Sequence, residues 1–189
     1  MITKEYADFS WQQAEQLLSI DSPTGYTDYA ALWLKSSFEM LGFPASVTTK
    51  GGILVDLGGE DADNGLLLAA HTDTLGAMVA EVKGNGRLRL TPLGGMNANN
   101  AEAENVRIYT RGGKVLEGTF QLCNASVHVN GDYNSAKRSF DTMEVVLDED
   151  VNSAADARKL GIEVGDIVCF DPRTRRTASG YLKSRFLDD

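Results

Sequence analysis

Leu66-Leu67-Leu68-Ala69-Ala70-His71-Thr72-Asp73-Thr74-Leu75-Gly76 decides how this 189-residue chain is read. Its first five residues are apolar without alternation. A strand covered on both faces produces that pattern, and such strands belong to α/β sheets. His71 then stands just past the carboxyl end of the strand, where ligands of open α/β sheets bind. A neutral imidazole is the commonest metal ligand, and a carboxylate on its second nitrogen fixes the tautomer. Asp73, two residues on, projects to the same side as His71 if the chain stays extended. The spacing alone also fits a strand-end histidine hydrogen-bonded beside a turn aspartate, because so short a pattern arises by chance.

Working back toward the N-terminus, Phe9, Ala14, Leu17 and Leu18 lie near one face at helical spacing. That helix must stop before Ser22-Pro23-Thr24-Gly25, since proline restricts its predecessor and glycine punctuates the loop. Thr27 is placed to cap a second helix carrying Ala31, Leu34, Phe38 and Leu41, with Gly42 past its end and Pro44 as a stop. Ser46–Thr49 and Ile53–Leu57 flank Gly51-Gly52 as a hairpin.

Forward of Gly76 the pattern changes to short strands between glycine turns. Ala77–Lys83 and Arg87–Leu90 flank Gly84-Asn85-Gly86, and Val106–Thr110 and Val115–Gln121 flank Arg111-Gly112-Gly113. Met143–Leu147 and Ile167–Phe170 are further strands. Ser153, Asp156 and Gly161 mark the start, first turn and end of one short helix. Such strands suggest a small barrel or sandwich. The expected organisation is an α/β domain made of residues 1–78 and 172–189, interrupted by a β-rich insert at 79–171.

Composition narrows the function. With 42% hydrophobic and 24% charged residues the chain is neither disordered nor collagen-like. A net charge of −9 argues against nucleic acid as a partner. The longest strongly apolar run, Leu66–Ala70, is far below the roughly 18 residues of a spanning helix, so no membrane partner is expected. The N-terminus lacks a basic start followed by an apolar block, so no secretory signal is evident. Cys123 and Cys169 are too few for a disulfide scaffold and are expected to be two buried thiols. A soluble, cytoplasmic protein is the default.

The last residues, Ser184-Arg185-Phe186-Leu187-Asp188-Asp189, end on paired carboxylates. These fit metal bridging or proton transfer, and equally a solvated acidic end. Taken with Ser22-Pro23-Thr24-Gly25 and His71-x-Asp73-x-x-Gly76, this order and spacing resembles the M42 metallo-aminopeptidases, the glutamyl or deblocking aminopeptidases that form tetrahedral shells. Asn105–Thr110, Lys114–Gly118 and Ala155–Asp166 are similar to the β-barrel inserted in that family. The resemblance covers essentially the whole chain.

The resemblance implies a metallopeptidase α/β sandwich with an inserted small barrel that mediates subunit contacts, and so a homo-oligomer. It implies His71 as a ligand of one metal ion, Asp73 as the acid that orients it, Asp188 as a carboxylate bridging two ions, and Asp189 as the residue after it in an Asp-Asp peptide. The complete enzyme would use two divalent ions, zinc or cobalt, to cleave N-terminal residues from a peptide substrate with a metal-activated water. The resemblance also implies a comparable length of chain beyond Asp189, supplying a Glu-Glu pair, a further Asp and a second His. Nothing here replaces them. His128, the other histidine, falls in the insert and is expected to be packed or solvated. The chain is therefore expected to be the N-terminal portion of such an enzyme, holding one metal ion or none and inactive in isolation. The alternatives are a non-catalytic oligomerisation or binding module derived from the enzyme, and a related two-metal hydrolase acting on non-peptide amides.

Overall fold

A computed structural model describes residues 3–61 and 63–188. The fold is mixed α/β and divides into two compact units, Met1–Thr74 with Pro172–Asp189, and Leu75–Asp171. No helix among the described residues is long and apolar enough to cross a membrane.

The second unit is a closed six-stranded β-barrel, one of the two forms that the glycine-punctuated strands allow and the one that the family resemblance implies. Its strands are β3 (Gly76–Val82), β4 (Leu88–Leu93), β5 (Glu104–Tyr109), β6 (Val115–Leu122), β7 (Met143–Leu147) and β8 (Ile167–Phe170), ordered β3-β4-β7-β6-β5-β8 around the barrel. Every pairing is antiparallel. Alternation puts Val106 and Ile108 of β5, and Leu116, Phe120 and Leu122 of β6, into the core. The β3–β4 turn needs Gly86: its φ is +82°, and a Cβ there would stand 2.9 Å from the Ser153 carbonyl oxygen. Gly118 serves packing instead, since a Cβ would stand 2.5 Å from the Val146 carbonyl oxygen on β7. The short helix α3 (Ala154–Lys159) begins where expected, with the Ser153 side chain accepting from the Asp156 N–H.

Three acidic side chains are buried in this unit, Glu104, Glu144 and Asp166. Glu144 on β7 is 1% exposed and receives Lys83 and Arg87, each at 2.5 Å, from either end of the β3–β4 turn. Burial pushes its carboxyl up, but the two cationic hydrogen bonds outweigh this and hold it below the usual glutamate range. The same carboxylate holds Lys83 above the usual lysine range. The signs follow. Glu144 contributes its full stability above the ordinary glutamate value of about 4.3 and loses it as pH falls through the lower folded value. Lys83 contributes fully below about 10.4 and loses its part as pH rises through the raised value. Urea unfolding of the barrel at pH 7 and pH 3 is expected to show a larger acid loss for the wild type than for Glu144→Gln. Equal losses would remove Glu144 from the account.

The first unit has little core of its own. α1 (Lys4–Leu18) and α2 (Asp28–Met40) form as expected, the first capped by Thr3 and the second followed by Gly42 at φ +89°. Thr27 occupies the N-cap of α2 without a side-chain capping bond. α1 buries none of its residues, and α2 buries Ala30 and Ala31. β1 (Ala45–Val47) and β2 (Ile53–Val55) make the expected hairpin. A second ribbon joins β9 (Arg175–Arg176) to β10 (Leu182–Lys183). Arg176 ties it to α1, stacking 5.0 Å from the Trp11 ring centroid and reaching Asp8 at 3.4 Å.

Two expectations need correction. Leu66–Ala70 is not a buried strand: these residues join no ladder, and Leu66, Leu67 and Leu68 are 86%, 79% and 77% exposed. An apolar run signals coverage on both faces, but a strand exists only through backbone partners on its edges, and neither ribbon of this unit supplies them. The two thiols are not both buried. Cys169 is, but Cys123 is exposed, with its sulfur 3.7 Å from the Lys83 amine at the end of β6.

Candidate metal centre

The sequence around His71 is held by a loop far from it in the chain. Pro23 forces Ser22 toward extended backbone, which lets the segment lie alongside residues 72–74. Pro23 forms a parallel bridge with Thr74, the Thr74 N–H donates to the Ser22 carbonyl at 2.7 Å, and the Thr24 N–H donates to the Thr74 carbonyl at 3.2 Å. The buried Ser22 hydroxyl donates to the Thr72 carbonyl at 2.8 Å. Gly25, at φ +86°, then turns the chain away toward α2.

The side chains follow from this splint. His71 Nδ1 lies 2.9 Å from the Asp73 carbonyl oxygen and 3.2 Å from Asp73 Oδ1. Both neighbours are acceptors, so a proton on Nδ1 satisfies them and leaves the Nε2 lone pair free. The second carboxylate oxygen of Asp73 accepts from the Thr24 hydroxyl at 2.6 Å. His71 is exposed and Asp73 partly so. This pair has the donor chemistry of a single metal ligand and the acid that orients it.

The other residues singled out in the sequence do not join a cluster. Asp188 is exposed, two residues beyond the buried Phe186, and Asp189 lies outside the described residues. Among the described residues no group of three or more His, Cys, Asp or Glu side chains gathers as a metal site. His128 is exposed in the turns after β6, in keeping with a solvated role. A depression of about 440 Å³ on the barrel, lined by Arg87, Gln121, Cys123, Asn124, Ala125 and Ser126, contains none of the expected ligands. Sequence reasoning quoted Thr24 but gave it no role. Its contact with Asp73 spans 49 positions, and no local pattern announces it.

Comparison with known proteins places the chain in a family. The chain is 43% identical over 175 residues to the YhfE protein of Bacillus subtilis (strain 168), covering 93% of this chain and 51% of that protein. It is 26% identical over 175 residues to the glutamyl aminopeptidase of Lactococcus lactis subsp. cremoris (strain MG1363), covering 90% of this chain and 48% of that enzyme. The chain thus spans about half the length of these relatives. In fold it is similar to aminopeptidase APDkam598 from the archaeon Desulfurococcus kamchatkensis, with a TM-score of 0.78 at 21% identity over 92% of this chain and 46% of that one. The family model of the M42 glutamyl aminopeptidases matches residues 51–189, and this chain belongs to that family.

Proposed function

We propose that the chain is the N-terminal portion of a two-metal aminopeptidase, with residues 1–78 and 172–189 as part of its catalytic α/β sandwich and 79–171 as the inserted barrel. The supporting observation is the His71–Asp73 contact at 3.2 Å, within a segment that the family model spans. In this reading His71 Nε2 is a ligand of one ion, Asp73 holds the ring in the tautomer that frees it, and Asp188 offers a bridging carboxylate. Two divalent ions, zinc or cobalt, would supply a water ionised near neutral pH for attack on an N-terminal peptide bond. The remaining ligands and the general base lie in the half of the family's length that this chain does not span. The exposed run at 66–70 agrees with a sheet that such a half completes. The barrel, with its independent core, suits the subunit contacts of a cytoplasmic homo-oligomer.

A zinc titration followed through the ring ¹⁵N resonances of the chain's two histidines tests the ligand assignment. His71 is expected to shift at low affinity while His128 does not, and His71→Ala is expected to abolish the response. Zinc binding unaffected by His71→Ala would overturn it. A non-catalytic module derived from the enzyme is the second reading; only the incomplete ligand set among the described residues favours it.

A further inference from the structure

The structure assigns Thr24 as a positioning residue for the proposed metal ligand: its hydroxyl fixes the Asp73 carboxylate, and that carboxylate orients His71. The inference rests on the reading of His71 as a ligand and adds a group that this reading does not require. A carboxylate beside an exposed imidazole can rotate about its terminal bond and present either oxygen, or neither. Here one oxygen is occupied. The Thr24 hydroxyl donates to Asp73 Oδ2 at 2.6 Å, a short charge-assisted bond, and this turns Oδ1 toward His71 Nδ1 at 3.2 Å, adding to the 2.9 Å contact of Nδ1 with the Asp73 carbonyl oxygen.

Thr24 is itself fixed before it acts. Its N–H is bonded to the Thr74 carbonyl, its neighbour Pro23 is buried in the bridge to Thr74, and Ser22 is anchored through its hydroxyl to the Thr72 carbonyl. The hydroxyl therefore needs little ordering to meet the carboxylate, which lowers the entropic cost of holding the His71 ring. The backbone contacts use the Thr24 main chain, so removing only its hydroxyl leaves the splint in place. That separates positioning from folding. Thr24 touches neither a reacting atom nor the imidazole, and its effect passes through Asp73.

Thr24→Val keeps the shape and deletes the donor; Thr24→Ser keeps the donor and deletes the methyl group. In the metal-free chain above pH 8, the ring ¹⁵N shifts of His71 are expected to report mainly the Nδ1–H tautomer in the wild type and in Thr24→Ser. Thr24→Val is expected to move them measurably toward the Nε2–H form. Zinc affinity at His71 should fall about threefold to tenfold in Thr24→Val and recover in Thr24→Ser, at or below the lower end of the roughly 10–100-fold range for direct outer partners of metal ligands, because Thr24 acts one group further out. Far-ultraviolet circular dichroism and Trp11 and Trp33 fluorescence should be the same in all three. Wild-type ring shifts and zinc affinity in Thr24→Val would overturn the assignment, as would an equal loss in Thr24→Ser. Zinc failing to bind any of the three would instead sink the metal reading, and the ring shifts would still decide whether Thr24 positions His71 through Asp73.

Discussion

Incubated with leucine or glutamate p-nitroanilide and added zinc or cobalt, the 189-residue chain is expected to give no turnover above background. The full-length Lactococcus lactis glutamyl aminopeptidase is the comparison. Two-metal hydrolysis needs enough ligands to hold both ions and a base to take the proton from the attacking water. The described residues bring the His71 imidazole and the Asp73 carboxylate together, and no third His, Cys, Asp or Glu side chain gathers with them. Loss of the base alone is expected to lower the rate by about 10²–10⁴-fold, and weak retention of the ions lowers it further. Co-expression with the portion of the Bacillus subtilis YhfE protein that this chain does not match should raise turnover in the same assay. The amides of 66–70 should at the same time become protected from hydrogen exchange as the run acquires strand partners. Turnover by the isolated chain comparable to that of the full-length enzyme would show that the catalytic groups have been misplaced.

What was legible in the sequence was local. Gly84-Asn85-Gly86 and Arg111-Gly112-Gly113 punctuate alternating strands, and such turns fix pairing and register within about twenty residues. Met143–Leu147 and Ile167–Phe170 emerge with the bounds their apolar runs suggested. Ser153 with Asp156 marks a helix start by a bond three residues long. Leu66–Ala70 failed for the complementary reason. Five apolar residues record an environment, and the environment of a doubly covered strand is made by other segments.

The candidate site divides the same way. His71 and Asp73 are two residues apart, so their meeting could be inferred from an extended backbone. Thr24 meets Asp73 only because Pro23 and Thr74 bridge two segments far apart in sequence. The Glu144 ion cluster was equally hidden. A glutamate between Met143 and Val145 reads as the polar position of a strand, and only barrel closure brings Lys83 and Arg87 onto it. Loop 123–142 carries another such contact, where Arg138 reaches back to Glu102 at 2.9 Å and stacks 4.7 Å from the Tyr133 ring centroid.

Phe120→Ala is expected to cost the barrel about 3–5 kcal/mol, the range for truncating a fully buried phenylalanine. Phe120 has no exposed surface, and its ring centroid lies 5.5 Å from Phe170 in an edge-on contact and 5.4 Å from Phe140. It thus joins β6, β8 and the loop before β7, and the void left by truncation borders three segments that cannot all collapse into it. Domains are typically stable by about 5–15 kcal/mol, so the variant sits near the edge of folding. Val164→Ala is the control: Val164 is 57% exposed, and its truncation should stay within about 0.5 kcal/mol. Both tryptophans, Trp11 and Trp33, lie in the first unit, so their fluorescence does not report the barrel core. Urea unfolding followed by amide exchange across residues 75–171 does. A barrel midpoint that drops in Phe120→Ala, with a tryptophan transition that moves less, is the outcome expected of a barrel with its own core. A loss below about 1 kcal/mol would mean that the ring cluster is not the centre of that core, because a truncation there must forfeit both transfer and packing energy.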